Sequence, residues 1–135
     1  MASIGQTAIA WAPRMLSVLR VITGLLFVEH GTMKFFNFPP NDMFAGGVEL
    51  MSLMGLAGIL ELVGGALIAL GLFTRPVAFI LAGEMAVAYF MAHAPSSFFP
   101  AVNQGEAAIM FCFIFLYLAC TGAGPWSADA ARGKA

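Results

Sequence analysis

Four stretches of this chain, about residues 15–36, 51–73, 76–94 and 104–122, are apolar over the length needed to cross a bilayer, which is about 20 residues at about 1.5 Å each. A soluble domain carries about 45–50% apolar and about 25% charged residues, whereas here 61% are apolar and 10% charged, with a mean hydropathy of +0.91. In a soluble globule of 135 residues much of the surface must face water, so such an excess has nowhere to hide. The expected fold is all-α: a polytopic membrane protein, a four-transmembrane-helix bundle forming one domain over residues 1–135.

Breaker-rich segments separate the spans. "NFPPNDMFAGGVE" has two prolines and two glycines and reads as a loop, giving outer connections at 37–50 and 95–103. "GLFTRP" reads as a tight turn with Thr74 as helix cap and Pro76 in the opening turn. Asn103 and Glu106 form Asn-x-x-Glu, close to a capping box. Four spans put both termini and the Arg75 turn on one side, with Arg14, Arg132 and Lys134. By the positive-inside rule that side is cytoplasmic, which predicts a multi-pass protein of the bacterial plasma (inner) membrane. The first thirteen residues lack the pattern of a cleaved secretory signal, so the first span is expected to remain.

The few charges exclude some functions. A net charge of −1 with scattered basic residues gives no footprint for nucleic acid. Cys112 and Cys120 are eight residues apart in one predicted helix, about 12 Å, too far for a disulfide with each other. They read as packing residues, and no CxxC motif is present.

A charge at the centre of a bilayer costs about 2.5–3.5 kcal/mol on insertion scales, so intramembrane ionisable residues normally turn inward and pair. On the first helix Arg20, Thr23, Gly24, Phe27, His30, Gly31 and Lys34 fall within about 120° of one another, with Glu29 opposite. Glu61 sits in a small-residue seam of Ala57, Gly58, Gly64 and Gly65. Measured from the cytoplasmic side, Arg20 and Tyr117 lie about 8–10 Å deep, Glu84 about 12 Å and Glu61 about 18 Å. These four are the expected core polar network, with Arg20 binding Glu84 or Glu61 through paired hydrogen bonds. His30, Lys34, His93, Asn103 and Glu106 gather nearer the outer surface as a mouth for a ligand or partner. No metal site is assigned, because nothing fixes the separation of the two histidines.

The segments "LRVITGLLFVEHGTMKFF", "ELVGGALIALGLFTRP" and "MAVAYFMAHAPSSFFPAVNQGEAAIMFCFIFLYLACTGAGPWSAD" together resemble the DoxX family of small bacterial four-helix membrane proteins over about residues 14–130. That family is similar to a membrane subunit of an archaeal thiosulfate:quinone oxidoreductase. One mycobacterial relative is described as joining a superoxide dismutase and a sulfurtransferase in a membrane complex. The resemblance carries candidate roles onto Arg20, His30, Gly31, Lys34, Glu61, Arg75, Glu84, His93, Asn103 and Glu106.

The resulting expectation is an integral membrane subunit of a redox or sulfur-metabolism assembly, with a quinone or proton site in its polar core. At most the chain is one subunit of a quinone-linked oxidoreductase, because it has no cofactor fingerprint of its own. A quinone is the candidate ligand. The expected partners are the lipid bilayer, a protein in a membrane complex and further copies of this chain. Two rival readings are a non-catalytic anchor docking through "NFPPNDMF" and "SSFFP", and a small transporter built on glycine-rich spans with central carboxylates.

Overall fold

The computed structural model describes residues 3–135. Among them every regular element is a helix: α1 (Ile4–Phe36), α2 (Leu53–Leu70), α3 (Thr74–His93), α4 (Pro100–Asn103), α5 (Glu106–Thr121) and α6 (Ala128–Ala131), with a 3₁₀ turn at Asp42–Phe44. By length and composition α1, α2 and α3 can each cross a membrane, while α5 is apolar after its first residue but shorter, at 16 residues.

The first helix begins well before the apolar window that announced it. Ser3 closes a capping box, its hydroxyl accepting from the Gln6 N–H at 3.2 Å while the Gln6 side chain accepts from the Ser3 N–H at 2.9 Å. The helix then runs on through Pro13. Its 33 residues make about 50 Å of helix, against about 30 Å of bilayer hydrocarbon.

The helices associate as two pairs, α1 along α2 and α3 along α5. Glycine sets the approach within the first pair. A Cβ on Gly24 would lie 2.5 Å from the Ala69 nitrogen, and one on Gly31 2.7 Å from the Leu62 nitrogen. Positions seven apart on α1 thus meet positions seven apart on the antiparallel α2, which fixes the register. Between the pairs, Phe27, Ile68, Leu81, Met85, Phe115 and Leu118 form the buried core, with Phe27 edge-on to Phe115 at 4.9 Å.

The pairs are tied together at the end holding the α2–α3 turn. Arg20 is fully buried and donates to four carbonyls: Nε to Ala123 at 2.8 Å, Nη1 to Ile68 at 2.7 Å and to Ala69, and Nη2 to Trp126. It neutralises the carbonyl end of α2 and anchors the chain after α5. Arg75 does the same for α5, donating to the carbonyls of Ala119, Cys120 and Thr121. The start of α3 is capped from afar. Thr74 is not its cap, because the helix already begins there; instead the Phe73 and Thr74 N–H groups donate to the Asp129 carboxylate at 3.0 and 2.9 Å. Asn103 and Glu106 likewise form no capping box, since the Asn103 side chain accepts from Gly105 at 2.7 Å and Gly105 is the cap residue of α5.

Burial alone would raise the Asp129 carboxyl, but the Thr74 and Phe73 backbone donors outweigh it and hold it below the usual carboxylate range. Its stabilising effect is therefore complete above about pH 4 and is lost as pH falls through the depressed folded value. Asp129→Ala is expected to cost about 0.5–2 kcal/mol at neutral pH, the size of a lost helix cap. In thermal unfolding the gap between wild type and variant should close below about pH 4. Gly24→Val is expected to wedge α1 from α2 and lower stability by about 1–3 kcal/mol, read in the same unfolding assay.

Candidate functional site

Tied at one end, the two helix pairs part towards the other and enclose a cavity of about 870 Å³. Its walls are contributed by α1, α2, α3 and α5, and are mostly apolar. Lys34, Glu61, Glu84, His30 and His93 are its ionisable lining residues.

Lys34 and Glu61 form its fixed polar centre. Lys34 Nζ donates to Glu61 Oε1 at 2.8 Å and Oε2 at 2.6 Å, with the side chains only 9% and 7% exposed. The α1–α2 register sets this pairing: one turn on from Gly31 the Lys34 stem lies against Gly58, 3.4 Å from where a Cβ there would be, and its Nζ reaches Glu61 on the neighbouring turn of α2. Glu61 lies in a π-helical turn, Leu60–Gly64, a local widening of the helix that often accompanies functional sites. The 3₁₀ turn after α1 folds Phe44 over the pair, with Lys34 Nζ 5.4 Å from the ring centroid. His30 stands edge-on to Phe111, ring centroids 6.0 Å apart.

Glu84 is different. It lines the same cavity from α3, and both of its carboxylate oxygens are buried with no hydrogen-bond partner. Among the described residues the only other such side-chain atom is the Thr74 hydroxyl oxygen. Buried polar groups are otherwise almost always satisfied, so Glu84 is a carboxyl in the cavity wall that the fold leaves without a partner.

The structure regroups the residues expected from sequence. Arg20 binds neither Glu61 nor Glu84. Carbonyls at the end of α2 and beyond α5 lie within its reach, while Lys34, fourteen residues further along α1 and so about 21 Å away, takes Glu61. Tyr117 faces outward, 53% exposed, apart from any core network. Glu106 is exposed at the first turn of α5 and does not line the cavity. Asn103 is buried as a loop organiser, donating to the Ser97 carbonyl at 2.9 Å and the Tyr89 hydroxyl at 3.3 Å. His93 sits 3.0 Å through Nδ1 from the Asn103 carbonyl oxygen. Cys112 and Cys120 are both free thiols.

Sequence reasoning did not single out Phe44 or Asp129. Asn41 accepting from the Met43 N–H at 2.9 Å is the local signal for the turn that places Phe44. Ser127 capping Ala130 at 3.0 Å is the one that orients Asp129. Neither signal names the distant partner.

The model of the DoxX family matches residues 15–94, more than half of the chain and all of α2 and α3. The chain belongs to the DoxX family. It is 41% identical over 122 residues to an uncharacterized protein of Haemophilus influenzae, covering 88% of this chain and 91% of the other. It is 32% identical to the Bacillus subtilis protein named "Putative oxidoreductase CatD", over 78% and 77% of the two chains. To an uncharacterized membrane protein of Mycobacterium tuberculosis it is 26% identical, over 99% and 95%. No solved structure matches it significantly. Within this DoxX chain the matched region supplies Lys34, Glu61, Glu84, His30 and His93, all on α1, α2 and α3.

Lys34→Ala is expected to be strongly destabilising, by about 3–5 kcal/mol, because it strands a buried carboxylate. The double variant Lys34→Leu with Glu61→Leu should recover most of that loss. Thermal unfolding in a fixed detergent reads both, and equal stability of wild type and the single variant would deny the pair its structural weight.

Proposed function

We propose that this DoxX protein is the integral membrane subunit of a redox assembly and holds a quinone in the cavity between its helix pairs. The observation that carries the proposal is Glu84, an unpartnered buried carboxyl in an apolar-walled cavity of about 870 Å³. Small-molecule sites have this build: about 300–1,000 Å³, mostly hydrophobic, with few polar groups that fix orientation. A quinone suits it, having a ring for the aromatic wall of Phe27 and Phe111, carbonyls for polar donors, and solubility in the bilayer. Lys34 and Glu61 set the electrostatics of the polar end, His30 stands at its side, and Glu84 bonds the head group, a carboxyl O–H donating to a quinone carbonyl or a carboxylate accepting from a quinol hydroxyl. The name of the Bacillus subtilis relative supports the redox half of the reading.

In this reading α5 is the fourth span and both termini face the cytoplasm of a bacterial inner membrane, with Arg14, Arg75, Arg132 and Lys134 on that side. The opposite end carries exposed Phe38, Met43, Phe98 and Phe99. That aromatic rim favours a second reading, in which the protein anchors a partner and the cavity is incidental. The two differ in what survives substitution inside the cavity.

Purified protein in nanodiscs is expected to bind ubiquinone or menaquinone saturably. Glu84→Leu should weaken binding by about tenfold or more, equivalent to about 1.4 kcal/mol, with Tyr117→Phe and Glu106→Gln unchanged. Absence of saturable quinone binding by the wild type, measured by calorimetry, would reject the quinone site and leave the anchor.

A further inference from the structure

We infer that the cavity is filled sideways from the bilayer, through a portal between α2 and α3 whose threshold is Gly83, and that its ligand is a long-tailed amphiphile whose hydrocarbon stays in that portal. This rests on the proposed quinone reading and adds the route and the tail.

The cavity lining is graded from inside to outside. Lys34 and Glu61 are buried, and Phe27 is 1% exposed. The lining residues Leu53 and Leu56 of α2, and Ile80, Val87 and Met91 of α3, are each more than half exposed. The polar groups are therefore at the base and the apolar ones form two banks. Gly83 stands between Ile80 and Val87 on the α3 bank, and a Cβ built there meets nothing within 4 Å.

Depth shows which solvent the banks meet. Gly83 lies nine residues from Thr74 and ten from His93, the ends of α3, so it is about 14–15 Å from either end of a span of about 30 Å. A gap at that depth faces acyl chains rather than water. A ligand whose polar end reaches Glu84 by this route must be lipid-soluble, and the banks match a saturated or isoprenoid chain over several methylenes. The open space at Gly83 is what the chain crosses. The adjacent Glu84 receives the head, so threshold and binding group are consecutive residues of one helix.

The test uses full-length protein in nanodiscs and two ligands with the same quinone ring, one with a long isoprenoid tail and one with none. Gly83→Leu puts an apolar, helix-favouring side chain into open space, so folding is expected to persist, checked by circular dichroism. The expected result is a loss of about tenfold or more in affinity for the tailed quinone, with the tailless one changed by less than about threefold. Equal loss of both ligands, or no loss of the tailed one, overturns the portal.

A second measurement does not depend on quinone. In a Trp11→Phe, Trp126→Phe background, Gly83→Trp places an indole at the threshold, and lipids brominated near the chain ends should quench it more than lipids brominated near the head groups. No quenching by either lipid overturns the portal by itself. Wild type binding neither quinone, with the indole quenched as expected, overturns the quinone reading and keeps the portal.

Discussion

A bilayer offers no water to a free backbone carbonyl, so each helix end near the membrane must find its donor within the protein. Arg20 meets that demand for the end of α2 and for the chain leaving α5, and the fold hangs on it. One guanidinium reaches carbonyls from Ile68, Ala69, Ala123 and Trp126, segments that lie far apart in sequence. A lysine could not reproduce this, because its donors radiate from a point, whereas the guanidinium presents a flat fork. Arg75 applies the same chemistry to α5, and Asp129 the opposite chemistry to the start of α3. Three charged residues therefore lock one end of the bundle through backbone groups.

Such a lock lets the other end open. Two helix pairs bound along their whole length would close on themselves and fill the space with side chains. Here the tight contacts run within the pairs and at the clasped end, and the remaining volume becomes the cavity. The glycine seam of α1 on α2 then has a second consequence. By holding the two backbones in close register it presents Lys34 to Glu61, so the packing within a pair writes the electrostatics of the cavity.

How much of this was legible in the sequence varies with the kind of information each residue carries. The helices were legible because hydropathy is a local property, and so was most of the inward face of α1, where Arg20, Thr23, Gly24, Phe27, Gly31 and Lys34 are buried while His30, expected on the same face, is exposed. The start of α1 was not, since Ser3 and Gln6 cap it outside the apolar window. Partner choice was not legible either. Arg20 was matched to a carboxylate because opposite charges attract most strongly pairwise, yet several carbonyls at one helix end collectively compete for the same fork. Lys34 was placed at the outer mouth by the depth of its backbone, while its long stem carries the ammonium inward to Glu61. Tyr117 and Glu106 were assigned from helix geometry alone, which cannot say which side of α5 meets α3. Asp129 could not be found at all without knowing that the chain returns to Thr74.

The same accounting separates structure from function among the polar residues. Arg20, Arg75, Asp129 and Asn103 are fully engaged with backbone groups, and Lys34 and Glu61 with each other. Each of them has a sufficient reason to exist in holding the fold. Glu84 has none: its carboxyl satisfies no backbone group and no side chain. An apolar residue at that position would pack the bundle at lower cost, since a polar group in the bilayer without a partner is a liability to folding. In the proposed reading a ligand in the cavity that Glu84 lines compensates this liability. Among the described residues Glu84 is the buried carboxyl that no bond of the fold accounts for, and the proposed ligand site rests on it.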